Sequence, residues 1–210
     1  MQTGKIIATR EKITHKALEL FNQNGIEYVG MRELAASIDM KIGNITYYFP
    51  TKDQLVNALA LELSALNRKA FAVPDNLTML SFLGMREAAF RNQWEYRCLL
   101  LSFVHLIRQN PIIRNRYKEI ENERRRGMNK AIAQLETNGY LKPGASGDMG
   151  SLPGIIGMIA RFWISDATVT YDEMHADQNI RHYIGLIASI LREYATAKGR
   201  KEIKEYIGDD

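Results

Sequence analysis

Apolar residues recur at three- and four-residue intervals along nearly the whole chain. Ile13, Ala17, Leu20 and Phe21 follow the i, i+4, i+7, i+8 spacing of an amphipathic helix. No run alternates apolar and polar residues between hairpin turns, and the five prolines stand near the ends of the periodic segments. This pattern confines the chain to an all-α fold of about nine helices. The spacing predicts them over roughly 8–24, 31–38, 42–48, 51–71, 76–92, 95–109, 111–138, 152–168 and 178–198. Gly25 and Gly139 suit left-handed helix stops, and Asn110 with Pro111 suits an N-cap followed by a first turn. KPGASGDMG, 142–150, has the composition of a loop.

Length and cysteine usage narrow the classes further. The 210 residues suffice for one large domain or two small ones. The single cysteine, Cys98, excludes an intramolecular disulfide and zinc ribbons, and fits a reducing compartment. The start, MQTGKIIATREK, lacks the apolar core of a signal peptide. The longest mainly apolar run, Leu152 to Ala160, is about half of a membrane span and contains Pro153, Gly154 and Gly157. A cytoplasmic protein with no membrane partner is the expectation.

Residues Met31 to Phe49 carry the most information. Leu34, Ala35 and Ile38 give one short helix an inward face, and Ile45 can anchor a second. Two short helices joined at Ile38-Asp39-Met40-Lys41 have the build of a helix-turn-helix, whose second helix can enter the DNA major groove.

The stretch GIEYVGMRELAASIDMKIGNITYYFPTKDQLVNAL resembles the DNA-binding segment of the TetR family of bacterial transcriptional regulators. Gly43, Ile45, Tyr48, Phe49, Thr51, Lys52, Asp53 and Leu55 match its pattern, and Ile13, Ala17, Leu20, Phe21 and Gly25 match its first helix. Several positions depart from it. Asp39 stands where glycine is common, Gly30 and Lys41 replace hydroxyl caps, and Thr46 and Tyr47 stand where tyrosine and histidine are usual. Lys41, Asn44, Thr46 and Tyr47 are the candidates to face the major groove, with Asn44 suited to adenine and Thr46 to a hydroxyl or methyl contact. Gly43 allows close approach to the DNA backbone. Tyr48 and Lys52 resemble the family's phosphate contacts, and Arg10 with Lys5 could form an arm to adjacent DNA. Phe49 reads as a core aromatic.

The resemblance implies a helix-turn-helix domain over 1–55, with the motif at about 31–49, and a helical effector-binding and dimerisation domain over 56–198. The charged end, 199–210, is expected to fray. The resemblance also implies a four-helix homodimer interface built from the last two long helices. Ile155, Ile159, Tyr183, Ile184, Ile187 and Leu191 are the candidates for it. Candidate pocket walls are Trp94, Cys98, Phe103, Tyr117, Phe162 and Trp163, with His105 as a polar anchor; each also fits plain core packing. Cys98/His105 and His175/His182 lack the third ligand of a metal site, and no cofactor is implied.

The net charge of +4 says little about DNA. Between Arg108 and Lys130 eight basic residues face three acidic ones, while residues 1–53 hold seven basic and six acidic. The expected function is a dimeric DNA-binding regulator, a repressor released from a palindromic operator by a small, largely apolar ligand. The alternative is a helix-turn-helix protein controlled by a protein partner or by DNA. No nucleophile elbow, P-loop or paired-His motif points to an enzyme.

Overall fold

A computed structural model describes residues 2–145 and 152–208, the side chains of 2–5 excepted. The described residues form eleven helices: α1 (Gln2–Asn24), α2 (Met31–Ser37), α3 (Ile42–Tyr48), α4 (Lys52–Ala70), α5 (Met79–Glu95), α6 (Arg97–Leu101), α7 (Phe103–Gln109), α8 (Pro111–Thr137), α9 (Leu152–Thr170), α10 (Ala176–Tyr194) and α11 (Ala197–Ile207). The all-α expectation holds, and the predicted stops fall where the chemistry places them. Gly25 and Gly139 end α1 and α8 at φ of 89° and 76°. Asn110 caps α8, its Oδ1 accepting from Ile113 N at 3.0 Å. Thr51 Oγ1 likewise accepts from Gln54 N at 3.2 Å ahead of α4.

Two differences have local causes. The helix expected over 95–109 is broken into α6 and α7 at Ser102, which leaves helical geometry (φ −87°, ψ 7°). Its hydroxyl donates to Glu27 Oε2 at 2.9 Å. The charged end does not fray through residue 207. Thr196 caps α11 by accepting from Gly199 N at 3.1 Å, and Ile203 is fully buried. Glu202 Oε2 accepts from Leu80 N at 3.0 Å, and the Tyr206 hydroxyl donates to Glu87. Of the predicted loop, residues 146–150 lie outside the described residues.

The chain divides into two units. The first, residues 1–65 and 96–117, packs around Ile13, Phe21, Leu34, Ile45, Phe49, Leu55 and Leu59. It is larger than the expected domain over 1–55 because α6 and α7 are tied to it. Cys98 N donates to Asn22 Oδ1 at 3.0 Å, and the Tyr96 hydroxyl donates to Glu62 Oε2 at 3.2 Å. The second unit, residues 66–95 and 118–210, has its described core between α5, α9, α10 and α11. One face of α5, Met79, Phe82, Leu83, Arg86, Ala89, Phe90 and Gln93, is buried there.

Candidate nucleic-acid interface

The recognition element is built from a short amphipathic code. Within α3 only Ile45 is buried, at 0% exposure, and Phe49 one turn on is 2% exposed. Burying two such side chains contributes roughly 1.5–3 kcal/mol each, which fixes the rotation of a two-turn helix that could not persist alone. With those two turned inward, the opposite face is set. Lys41, Ile42, Gly43, Asn44 and Tyr47 are exposed, and Thr46 and Tyr48 are half-buried.

The turn between α2 and α3 is closed by Asp39 in the left-handed region at φ 52°, followed by Met40 N donating to Ala35 O at 2.9 Å. Aspartate enters this region more readily than most residues, so the glycine common here is not required. Gly30 caps α2 without a hydroxyl, and Glu33 Oε2 accepts from Gly30 N at 3.4 Å in its place. Lys41 occupies the N-cap of α3, and its side chain makes no capping bond. It is therefore committed to nothing at the head of the helix.

The remaining candidates divide. Tyr47 is 74% exposed and meets Tyr48 edge-on, with ring centroids 5.1 Å apart. A Cβ added at Gly43 would touch nothing within 4 Å, so the position is open to an approaching backbone. The Thr46 hydroxyl donates to Ile42 O and Gly43 O, both at 3.2 Å, which leaves its methyl and a lone pair for a partner. Lys52 is half-buried: Nζ donates to Glu27 O at 3.4 Å and lies 5.9 Å from the Phe21 ring centroid. Desolvation pulls its pKa below the ordinary lysine value, against the attraction of Glu27. Arg10 is exposed, its guanidinium 5.0 Å over the ring of Phe49. That contact ties the exposed face of α1 to the end of α3. The side chain of Lys5 lies outside the described residues.

The pocket candidates are divided between the two units. In the second unit Trp163 is 1% exposed, stacked on Phe90 at 4.9 Å and beside Trp94 at 6.3 Å, and its indole N–H donates to Gln93 Oε1 at 2.6 Å. Phe162, on the same helix, points outward at 38% exposure. Phe103 and Tyr117 meet edge-on at 4.8 Å within the first unit. Cys98 is buried there, and burial pushes its thiol up to about 12. His105 is exposed on α7, so it cannot serve as an interior anchor.

Of the six candidates for the dimer face, four are buried within a single chain. Tyr183, Ile184, Ile187 and Leu191 are 0–3% exposed within a single chain and have no area left to give a second copy. Their stripe is the core face of α10 against α5, α9 and α11. The outward apolar residues are Ile155 (36%), Met158 (57%), Phe162 (38%) and Val169 (89%) on α9, and Leu186 (41%) on α10; Ile159 is half-buried. The spacing shows an apolar stripe on α10, and a period alone does not say whether that stripe faces its own chain's core or a second copy. Sequence spacing also missed Arg86, a charged residue at a core position of the α5 stripe. The signal was present: Phe82, Leu83, Ala89 and Phe90 flank it at helical spacing.

An exposed, uncommitted two-turn helix held on a three-helix core defines a helix-turn-helix DNA-binding protein. Comparison with known proteins agrees. Residues 13–59 match the family model described as bacterial regulatory proteins, tetR family, and residues 64–203 match that described as bacterial transcriptional repressor, TetR. The chain belongs to the TetR family and is a DNA-binding transcriptional regulator. A curated relative named "Probable HTH-type transcriptional regulator YttP", from Bacillus subtilis (strain 168), is 39% identical over 56 residues, 27% of each chain. That match thus spans about a quarter of the relative's length. Among solved structures, a TetR-family transcriptional regulator from Marinobacter aquaeolei VT8 superimposes with a TM-score of 0.87 at 21% identity, covering 95% of this chain and 97% of that one. PfmR, a TetR-family regulator from Thermus thermophilus, gives 0.64 at 18% identity over 86% and 97%. Among the described residues no helix is long and apolar enough to cross a membrane.

Proposed function

We propose that the protein is a cytoplasmic repressor, without enzymatic activity, that binds a palindromic operator as a homodimer. A small ligand held in the second unit releases it. The observation that carries the DNA half of this reading is the contrast within α3: Ile45 fully buried, Tyr47 74% exposed. Lys41 and Asn44 are exposed as well, at the N-terminal end that meets base edges in such motifs. Arg10, Tyr48 and Lys52 flank them as phosphate-facing groups. The outward apolar residues of α9, with Leu186, are the surface we assign to the partner copy, in place of the α10 stripe.

Release requires a ligand with different affinities for two arrangements of the dimer, since equal affinity shifts nothing. The exposed Arg124, Arg125 and Arg126 on α8 favour one further reading, control by a polyanionic or acidic partner. Mobility shift on the DNA upstream of the protein's own gene tests the main reading. Salt-sensitive, sequence-selective retardation supports it, and its absence counts against it. Release by an acidic protein with no small-molecule response would favour the second.

A further inference from the structure

Arg86 sits at the middle of the buried face of α5, one turn after Phe82 and Leu83 and one turn before Ala89 and Phe90. An apolar side chain would complete this stripe; the sequence places the most persistently charged side chain there instead. Arg86 is 7% exposed, and among the described residues its Nε has no hydrogen-bond partner. The guanidinium stacks on Phe71, 3.2 Å from the ring centroid, with the Phe82 ring at 5.4 Å. The charged group that bears on it is another cation, Arg124 of α8. Burial first, and that repulsion second, push its pKa well below the ordinary arginine value, yet a guanidinium does not give up its proton in a protein.

A buried charge without a counter-charge is costly, and the cost is removed by an anion that reaches the unpaired edge. Phe71 covers one face of the guanidinium, so the plane of its N–H groups is where a partner can bind. That geometry suits the two oxygens of a carboxylate in a fork. The rings beside the guanidinium, Phe71 and Phe82, are hydrocarbon and suit an organic acid better than a strongly hydrated ion.

We propose that Arg86 anchors the carboxylate of an amphiphilic organic acid, whose apolar part lies among the aromatic residues of α5 and the α4–α5 connection. As the effector site, this rests on the repressor reading above. As a binding site, it stands on the second unit alone, to which Phe71, Phe82, Arg86 and Arg124 all belong.

The test uses full-length protein without DNA and four probes: octanoate, 1-octanol, acetate and octyl phosphate. Binding is read by calorimetry and thermal shift in the wild type, R86Q and R86K. Octanoate is expected to bind and raise Tm. Its affinity should fall about tenfold or more in R86Q, as expected when a charge-assisted hydrogen bond is removed, and less in R86K, which keeps the charge without the fork. If R86Q fails to fold, weakened octanoate binding by R86K carries the comparison. The proposal is overturned if octanol binds as well as octanoate, or if both variants bind octanoate like the wild type. It is also overturned if acetate alone gives the full effect, or if octyl phosphate binds and octanoate does not. Failure of the ligand-free protein to hold any DNA duplex speaks against the repressor reading alone, because the titrations are read without DNA.

Discussion

The ring of Tyr47 stands edge-on to that of Tyr48, with centroids 5.1 Å apart and planes at 89°. Tyr48 is half-buried and Tyr47 is 74% exposed, so the inner ring props the outer one away from the fold. An aromatic held outward in this way adds little to stability, because its area stays in water. Tyr47→Ala is therefore expected to change unfolding free energy by no more than about 0.5 kcal/mol and to weaken operator binding by roughly 1–3 kcal/mol. Thermal melts with anisotropy titrations check both. A large drop in Tm would make Tyr47 a structural residue.

Lys41 makes a different prediction because its charge acts at long range. It caps α3 only with its backbone, so Lys41→Ala costs no capping hydrogen bond. If the ammonium meets a phosphate, its removal reduces the slope of log K against log salt by about one per chain and weakens all sequences alike. If it meets a base edge, its removal relaxes selectivity at one position instead. Titrations of operator and scrambled duplexes over a range of salt separate the two.

Ile187, expected at the dimer face, is a buried core residue, whereas Phe162, expected in a pocket wall, lies on the outward face proposed for the partner copy. Ile187→Asp places an unpaired charge at a site with 0% exposure and should cost about 3–5 kcal/mol of folding stability. Phe162→Asp, at 38% exposure, should leave the chain folded and shift sedimentation from dimer to monomer. A folded, dimeric Phe162→Asp variant would remove the outward face of α9 from the interface.

Gly199 packs against the backbone of the α8–α9 connection. A Cβ there would lie 2.1 Å from Tyr140 O, and neither element can yield a side chain to make room. Gly199→Ala is expected to destabilise by about 1–3 kcal/mol, as overpacking does, read as a fall in the denaturant midpoint. Unchanged stability would mean that α11 is dispensable to the second unit.

Cys98 titrates above its ordinary value of 9.0, at about 12, because burial disfavours the thiolate. The unfolded chain deprotonates first as pH rises from about 9 towards 12. The thiol's contribution is thus fully present below that window and lost across it. Native protein at about pH 8 should react with a thiol reagent far more slowly than unfolded protein, since only the thiolate attacks. Equal rates would place Cys98 at the surface.

Much of this architecture is legible in the chain. Gly25, Gly139, Asn110 and Thr51 mark helix ends through chemistry local to a few residues, and each end lies where that chemistry requires. The orientation of α3 is legible for the same reason, since one buried isoleucine decides it. What sequence spacing could not give is long-range. Ser102 breaks a helix for the sake of Glu27, 75 positions away. The inward side of α9 is chosen by Trp163 meeting Gln93 and Phe90, 70 and more positions away. Tyr206 reaches Glu87 across 119 positions, and this holds a tail whose composition alone suggests fraying.

The most direct test of the central claim, that α3 reads DNA, compares the wild type with a Lys41→Ala, Tyr47→Ala double variant. Both are titrated against a duplex from upstream of the gene and a scrambled duplex, at about 50 and 200 mM salt. The wild type is expected to bind selectively and with salt sensitivity, and the variant to lose the difference between the two duplexes while its thermal melt is unchanged. Retained selectivity in that folded variant would contradict the claim.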